Sequence, residues 1–216
     1  MEKAKAWFEN YWYHYKWMTI IIASSIIALT VCLVQCSKKE DYTMYALYAG
    51  HVYIGGEQSK GLTEAISNYT ESDGKNISVN SFTYVSSEKK EEYEAGGAYY
   101  NAGINMQQRE DFFNFLYTAN FNMLILDPEL YSQIRHEEII KPMTEISETA
   151  AAKSKDGYCI RLGDTSLPDK YPIFEKMGED TVLCFRKKVL MQDLAQKNNE
   201  EKYNYQLSVF KKMIEE

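Results

Sequence analysis

The stretch YWYHYKWMTIIIASSIIALTVCLVQCSKK, residues 11–39, decides how the rest of the chain is read. Met18 to Gln35 holds no charged residue, and nine of its eighteen positions are Ile, Leu or Val. At a rise of about 1.5 Å per residue, Trp17 to Cys36 covers about 30 Å as a helix, the thickness of a bilayer's hydrocarbon. Each such side chain favours insertion by about 0.3–0.6 kcal/mol, so the nine together supply about 3–5 kcal/mol. Thr19, Ser24, Ser25 and Thr30 subtract little, because their hydroxyls can bond back to helix carbonyls.

All three tryptophans, Trp7, Trp12 and Trp17, stand just before the apolar run, with Phe8, Tyr11, Tyr13 and Tyr15 among them. Rings of this kind collect at the membrane–water interface. Residues 4–16 also repeat their aromatics at helical spacing, which predicts an amphipathic helix on or leading into the membrane. A cleaved signal peptide would have a short basic start, a shorter apolar run and an A-x-A site. None is present, and Gln35 before Cys36 does not suit a lipoprotein site. The retained anchor is therefore preferred over a signal peptide or a buried core helix. Three lysines precede the span, and Lys38 and Lys39 follow it. This slight bias puts the N-terminus in the cytoplasm and the C-terminal part outside a cell membrane crossed once.

The chain has 216 residues and a net charge of −7. The first 37 residues carry +1, so the remainder is acidic. An acidic domain has no electrostatic footprint for nucleic acid, which excludes that partner. The bilayer is one partner; another membrane protein, a peptide or a small solute is the other expected class.

Beyond the anchor the sequence predicts strands at 43–49, 77–85, 122–127, 157–164 and 180–188. Helices are predicted at 61–72 and 107–119, a helix or turn at 128–139, and a helix at the C-terminus on Tyr203, Leu207, Phe210 and Ile214. Residues 72–76 read as a turn, and 86–103 mostly as a loop. The alternation of strands and helices predicts an α/β fold. The expected layout is a juxtamembrane segment at 1–17, a transmembrane helix at 18–36, a stalk at 37–42, and one mostly parallel-sheet three-layer domain at 43–216.

Chemical signatures are few. GGEQSKGLT (55–63) lacks the lysine that a phosphate loop places after its second glycine, and reads as a loop entering a helix. RHEEIIK (135–141) has Ile140 where a zinc-protease helix needs its second histidine, so no metal is expected. No nucleophile–base pair can be named, so neither catalytic residues nor a cofactor are expected, and an unrecognised hydrolase is the least favoured reading. In LDPEL (126–130), Asp127 suits a helix cap, Pro128 its first turn and Glu129 its positive end. Asp127 would also lie at the carboxyl end of a parallel strand, where open α/β sheets place ligands. Gly50 and His51 follow the first strand in the same way. These three are the ligand-binding candidates. Cys159 and Cys184 occupy matching contexts, and if their strands pair the thiols could approach disulfide distance, the alternative being two free core cysteines. Eighteen tyrosines offer stacking surface for a sugar or peptide, although on strands they serve as core or rim.

The runs YWYHYKW (11–17), YALYAGHVYI (45–54), DGKNISVNSFTYV (73–85), NMLILDPELY (122–131) and YCIRLGDTSL (158–167) resemble small membrane proteins of Gram-positive bacteria. The outer part of those proteins is similar to one lobe of a type II periplasmic, or solute-binding, protein. The resemblance implies an extracytoplasmic α/β domain with no established activity. The function expected is a membrane-anchored binding or interaction domain; the alternative is a structural or assembly subunit acting through its span.

Overall fold

The computed structural model describes residues 2–37, 42–70, 77–118, 121–188 and 199–215. Its contacts divide the chain into two units, Met1–Asp41 and Tyr42–Glu216. The predicted turn at 72–76 and most of the predicted stalk lie outside the described residues.

The first unit is one helix, α1 (Glu2–Ser37). The predicted helix at 4–16 and the predicted span at 18–36 belong to one continuous helix. Within it Glu9–Cys32 is long and apolar enough to cross a membrane, and none of that window is buried inside the chain. Ser24 and Ser25 donate to the Ile21 carbonyl at 2.9 and 2.8 Å, and Thr30 donates to Ile26 at 2.8 Å. The hydroxyls thus spend their polarity on the helix's own carbonyls. Trp7, Tyr11 and Tyr15 stack at successive i, i+4 positions with ring centroids 5.7 and 5.4 Å apart, forming one aromatic stripe.

The second unit is built on a five-stranded sheet of order β2-β1-β3-β5-β4. The strands are β1 (Met44–Gly50), β2 (Ile77–Thr83), β3 (Met123–Leu126), β4 (Ile160–Arg161) and β5 (Val182–Phe185). The helices are α2 (Glu57–Ser67), α3 (Lys90–Ala95), α4 (Ala102–Thr118), α5 (Pro128–Ile134), α6 (Glu148–Lys153), α7 (Leu167–Lys170), α8 (Pro172–Met177) and α9 (Asn199–Glu215). β1 pairs in parallel with β2 and β3, whereas β5 pairs antiparallel with both β3 and β4. The sheet is therefore mixed, not the mostly parallel one expected. The cause is local: after β3 no long helix returns the chain in the same sense. Short helices carry it instead between β4 and the antiparallel β5.

β1, β3 and β5 read as continuous apolar runs because they are buried on both faces. Met44, Ala46, Tyr48, Met123, Ile125, Leu183 and Phe185 face one core cluster, which also holds the buried residues of α2, α8 and α9. Leu47, Ala49, Leu124, Leu126, Val182 and Cys184 face the other, with Phe112 and Leu116 of α4 and Leu130 and Ile134 of α5. The period of two along each strand sends alternate side chains into the two clusters. The predicted face of α2, Leu62, Ala65, Ile66 and Tyr69, is buried, as are Tyr203, Phe210 and Ile214 of α9. Fully burying one Leu or Phe contributes about 1.5–3 kcal/mol, so these faces fix the helices on the sheet. Asn122 donates to Gln206 at 2.8 Å, and Gln206 donates to the Thr43 carbonyl at 3.1 Å, which ties α9 to the starts of β1 and β3.

Candidate functional site

The chain goes from β1 out to β2 on one side, then crosses back to place β3 on the other. The carboxyl ends of β1 and β3 therefore flank a topological switch point, where loops diverge and leave a crevice. The ladder continues to that edge: the Asp127 N–H donates to the Ala49 carbonyl, and the Tyr84 N–H to Gly50, both at 2.8 Å.

The structure places the three sequence candidates here, in different roles. Gly50 is architectural. Tyr48 folds back so that its hydroxyl accepts the Val52 N–H at 2.9 Å, and a Cβ on Gly50 would lie 2.6 Å from that oxygen. Only glycine lets this latch close. Asp127 caps α5: its side chain accepts the Glu129 N–H at 2.9 Å, and Pro128 occupies the first turn. Its other oxygen, Oδ2, is buried and makes no hydrogen bond among the described residues. His51 is half-buried, and its Nδ1 lies 3.4 Å from the Lys89 ammonium.

Lys89 and Asp180 complete the group. The Lys89 ammonium donates to Asp180 Oδ1 at 2.9 Å and stands 3.8 Å from Asp127 Oδ2. Four ionisable side chains from four separate loops thus converge at one edge. Burial pushes the Asp127 carboxyl above its ordinary value, against the Glu129 N–H and Lys89, which pull it down. Burial, and then the Lys89 charge, hold the His51 imidazole below its ordinary value.

A cavity of about 380 Å³ opens beside Asp127 and Asp180, lined also by Ser86, Glu88, Glu129 and Ser132. The Glu129 carboxylate is already engaged, accepting the Tyr84 hydroxyl at 2.8 Å and the Ser87 N–H at 3.1 Å. Asp127 lines this wall with its Oδ2 buried, facing the Lys89 ammonium at 3.8 Å and without a hydrogen bond among the described residues. His51 reaches the cavity only through Lys89, so it positions a charge and does not line the crevice. A larger cavity, about 480 Å³, lies between α2 and α8. Its charged lining residues, Glu57, Glu64, Lys170 and Lys176, are all exposed, so it has no comparable buried chemistry.

Sequence reasoning missed Lys89 and Asp180. Lys89 hides in the charged run SSEKKEEYE (86–94). Asp180 precedes β5, and only the antiparallel entry of that strand brings its N-terminal end to the carboxyl edge of β1 and β3. The signal was Gly178, which adopts φ 88°. A Cβ there would sit 3.0 Å from Asp180 Oδ1 and 3.6 Å from the Lys89 ammonium.

Cys159 and Cys184 are buried with free thiols. β4 and β5 do pair, and both cysteines belong to one core cluster. Burial pushes the Cys159 thiol up to about 12 and the Cys184 thiol well above its ordinary value. Among the described residues no group of three or more His, Cys, Asp or Glu side chains is placed to hold a metal ion. Comparison with family models, with curated proteins and with solved structures finds no match to this chain.

Proposed function

We propose that the chain is a membrane-anchored, extracytoplasmic binding domain that takes a small polar solute in the crevice between the carboxyl ends of β1 and β3. The observation that carries this reading is Asp127: a buried carboxylate beside a cavity at the switch point, with Oδ1 on the Glu129 N–H and Oδ2 without a hydrogen bond among the described residues, 3.8 Å from the Lys89 ammonium. Leaving a buried acceptor without a hydrogen bond costs up to about 1–3 kcal/mol, which the Lys89 charge offsets in part and a ligand donor would relieve further. The surrounding Glu88, Glu129 and Asp180 favour a donor that carries positive charge, such as an ammonium group. Lys89 supplies the resting counter-charge and yields it to the ligand. The apolar window Glu9–Cys32 supports the anchor, and the lysine bias around it supports the outward placement of the globule.

The test is equilibrium dialysis of the full chain, held in detergent, against amino acids, short peptides and polyamines. Retention of at least one solute, lost in D127N, is expected. No retention across the panel overturns the solute reading and favours a macromolecular partner.

A further inference from the structure

A second pocket, distinct from the crevice, lies at the carboxyl end of β2. It has a volume of about 360 Å³, and its lining includes Tyr53, Tyr93, Tyr99, Tyr100, Asn101 and Gln108. None of its lining residues is an acid, a lysine, an arginine or a histidine. In a chain where 25% of residues are charged, an uncharged lining selects an uncharged ligand.

Two of its rings are presented to solvent. Tyr53 is 71% exposed and Tyr99 86% exposed, values far from those of core tyrosines. Tyr53 is nonetheless held in place. Its ring lies over Gly55 so closely that a Cβ on Gly55 would come within 2.5 Å of a ring carbon. Lys90 occupies one face of Tyr100, 4.9 Å from the ring centroid, which leaves Tyr53 and Tyr99 as the open platforms.

The polar inventory narrows the ligand further. The Gln108 carbonyl oxygen accepts the Thr83 N–H at 3.2 Å. The Asn105 amide accepts the Val85 N–H at 2.8 Å and donates to the Val85 carbonyl at 3.0 Å. These side chains cap the backbone at the end of the edge strand, so a peptide adding as a further strand finds those groups taken. What remains unpaired among the described residues is the Asn101 and Gln108 amide N–H groups and the hydroxyls of Tyr53, Tyr93 and Tyr99. Hydroxyls both donate and accept, whereas a polyproline segment offers only carbonyl acceptors. Aromatic platforms rimmed by two-way hydrogen-bonding groups match a ligand with an apolar face and a hydroxyl rim, which is the surface of a pyranose ring.

We infer that this pocket binds a neutral saccharide, stacked on Tyr53 and Tyr99 and bonded at its rim by Asn101 and Gln108. The experiment is calorimetric titration of the full chain, in a detergent without a sugar headgroup, with cellotetraose, maltotetraose, chitotetraose and a proline decamer. At least one tetrasaccharide binds one-to-one, and Y53A and Y99A each weaken it by about three- to tenfold, as loss of a stacked ring should. G55A, which keeps every lining side chain but displaces the Tyr53 ring, weakens it too. Tyr158→Ala, in the turn before β4, leaves it unchanged. The exposure of Tyr53 and Tyr99 keeps their variants folded, which unfolding curves verify. No tetrasaccharide binding at millimolar concentration, binding indifferent to Y53A and Y99A, or binding of the proline decamer alone overturns the inference.

Discussion

Two aspartates sit at the two ends of one structural link, and their environments are opposite. Asp156, in the turn before β4, is exposed, yet its carboxylate is saturated. It accepts the Tyr131 hydroxyl, the Tyr158 N–H at 3.0 Å and the Cys159 N–H at 3.2 Å. Asp127, at the start of α5, is 2% exposed, yet one of its oxygens accepts no hydrogen bond among the described residues. Tyr131 belongs to that same helix, so α5 joins the two. Burial raises both carboxyls; at Asp156 the Tyr131, Tyr158 and Cys159 hydrogen bonds overcome it and hold the group below its ordinary value. At Asp127 burial wins. Burial alone would raise Asp127 above Asp156, and the hydrogen bonds at Asp156 widen that gap. The difference teaches that Asp156 builds the fold, whereas Asp127 keeps a buried oxygen without a hydrogen bond, the feature on which the proposed binding role rests.

The largest effect that could break this contrast is on stability. D156A strips three donors of their acceptor, including the buried Tyr131 hydroxyl, and should cost about 2–3 kcal/mol in denaturant unfolding of the globule. D127N should cost less than about 1 kcal/mol, because Asn caps a helix about as well as Asp and can still accept the Glu129 N–H. Equal losses would erase the distinction. G50A tests the frame of the edge itself. The added methyl meets the Tyr48 hydroxyl, an overpacking of about 1–3 kcal/mol, and Y48F should recover part of it.

The pH dependence sharpens the contrast by its sign. Asp156 contributes stability above its unfolded value, and that contribution is lost as pH falls through its depressed folded value. D156N should therefore fall below the native chain at pH 7 and approach it on acidification. Asp127 has a raised folded value, so protonation favours the folded state and its ionisation costs stability as pH rises. The native chain should gain on D127N as pH falls from about 7 to about 4. Thermal unfolding at several pH values reads both trends. The smallest effect concerns the thiols: Cys159 and Cys184, raised by burial, should remain unlabelled by a thiol–disulfide reagent at pH 8 until the globule is unfolded.

The sequence made the individual elements legible but not their sense of pairing. Continuous apolar runs betrayed β1, β3 and β5, and LDPEL betrayed both the end of a strand and the capped start of α5. The face of α2 followed from Leu62, Ala65, Ile66 and Tyr69. The stretch 86–103, predicted mostly as a loop, is mostly turn and coil but also holds α3 and the start of α4, begun where Asn101 accepts the Ile104 N–H at 3.0 Å. That cap was written in the sequence and overlooked because Gly96, Gly97 and Gly103 dominate the stretch. β4 is two residues long, since most of 157–164 is spent on turns. Asp127 was found because its position follows from a strand–helix junction. Lys89 and Asp180 were not, because their contact depends on long-range topology that no local pattern carries.

The most direct measurement is a carboxyl-carbon NMR titration of the full chain in micelles, labelled at aspartate, with D127N and D156N used for assignment. Asp127 should titrate above the ordinary aspartate value of about 3.9, and Asp156 below it. Asp127 titrating at or below Asp156 would mean that its carboxylate is as well satisfied as the one in the turn, and that the crevice holds nothing open for a ligand.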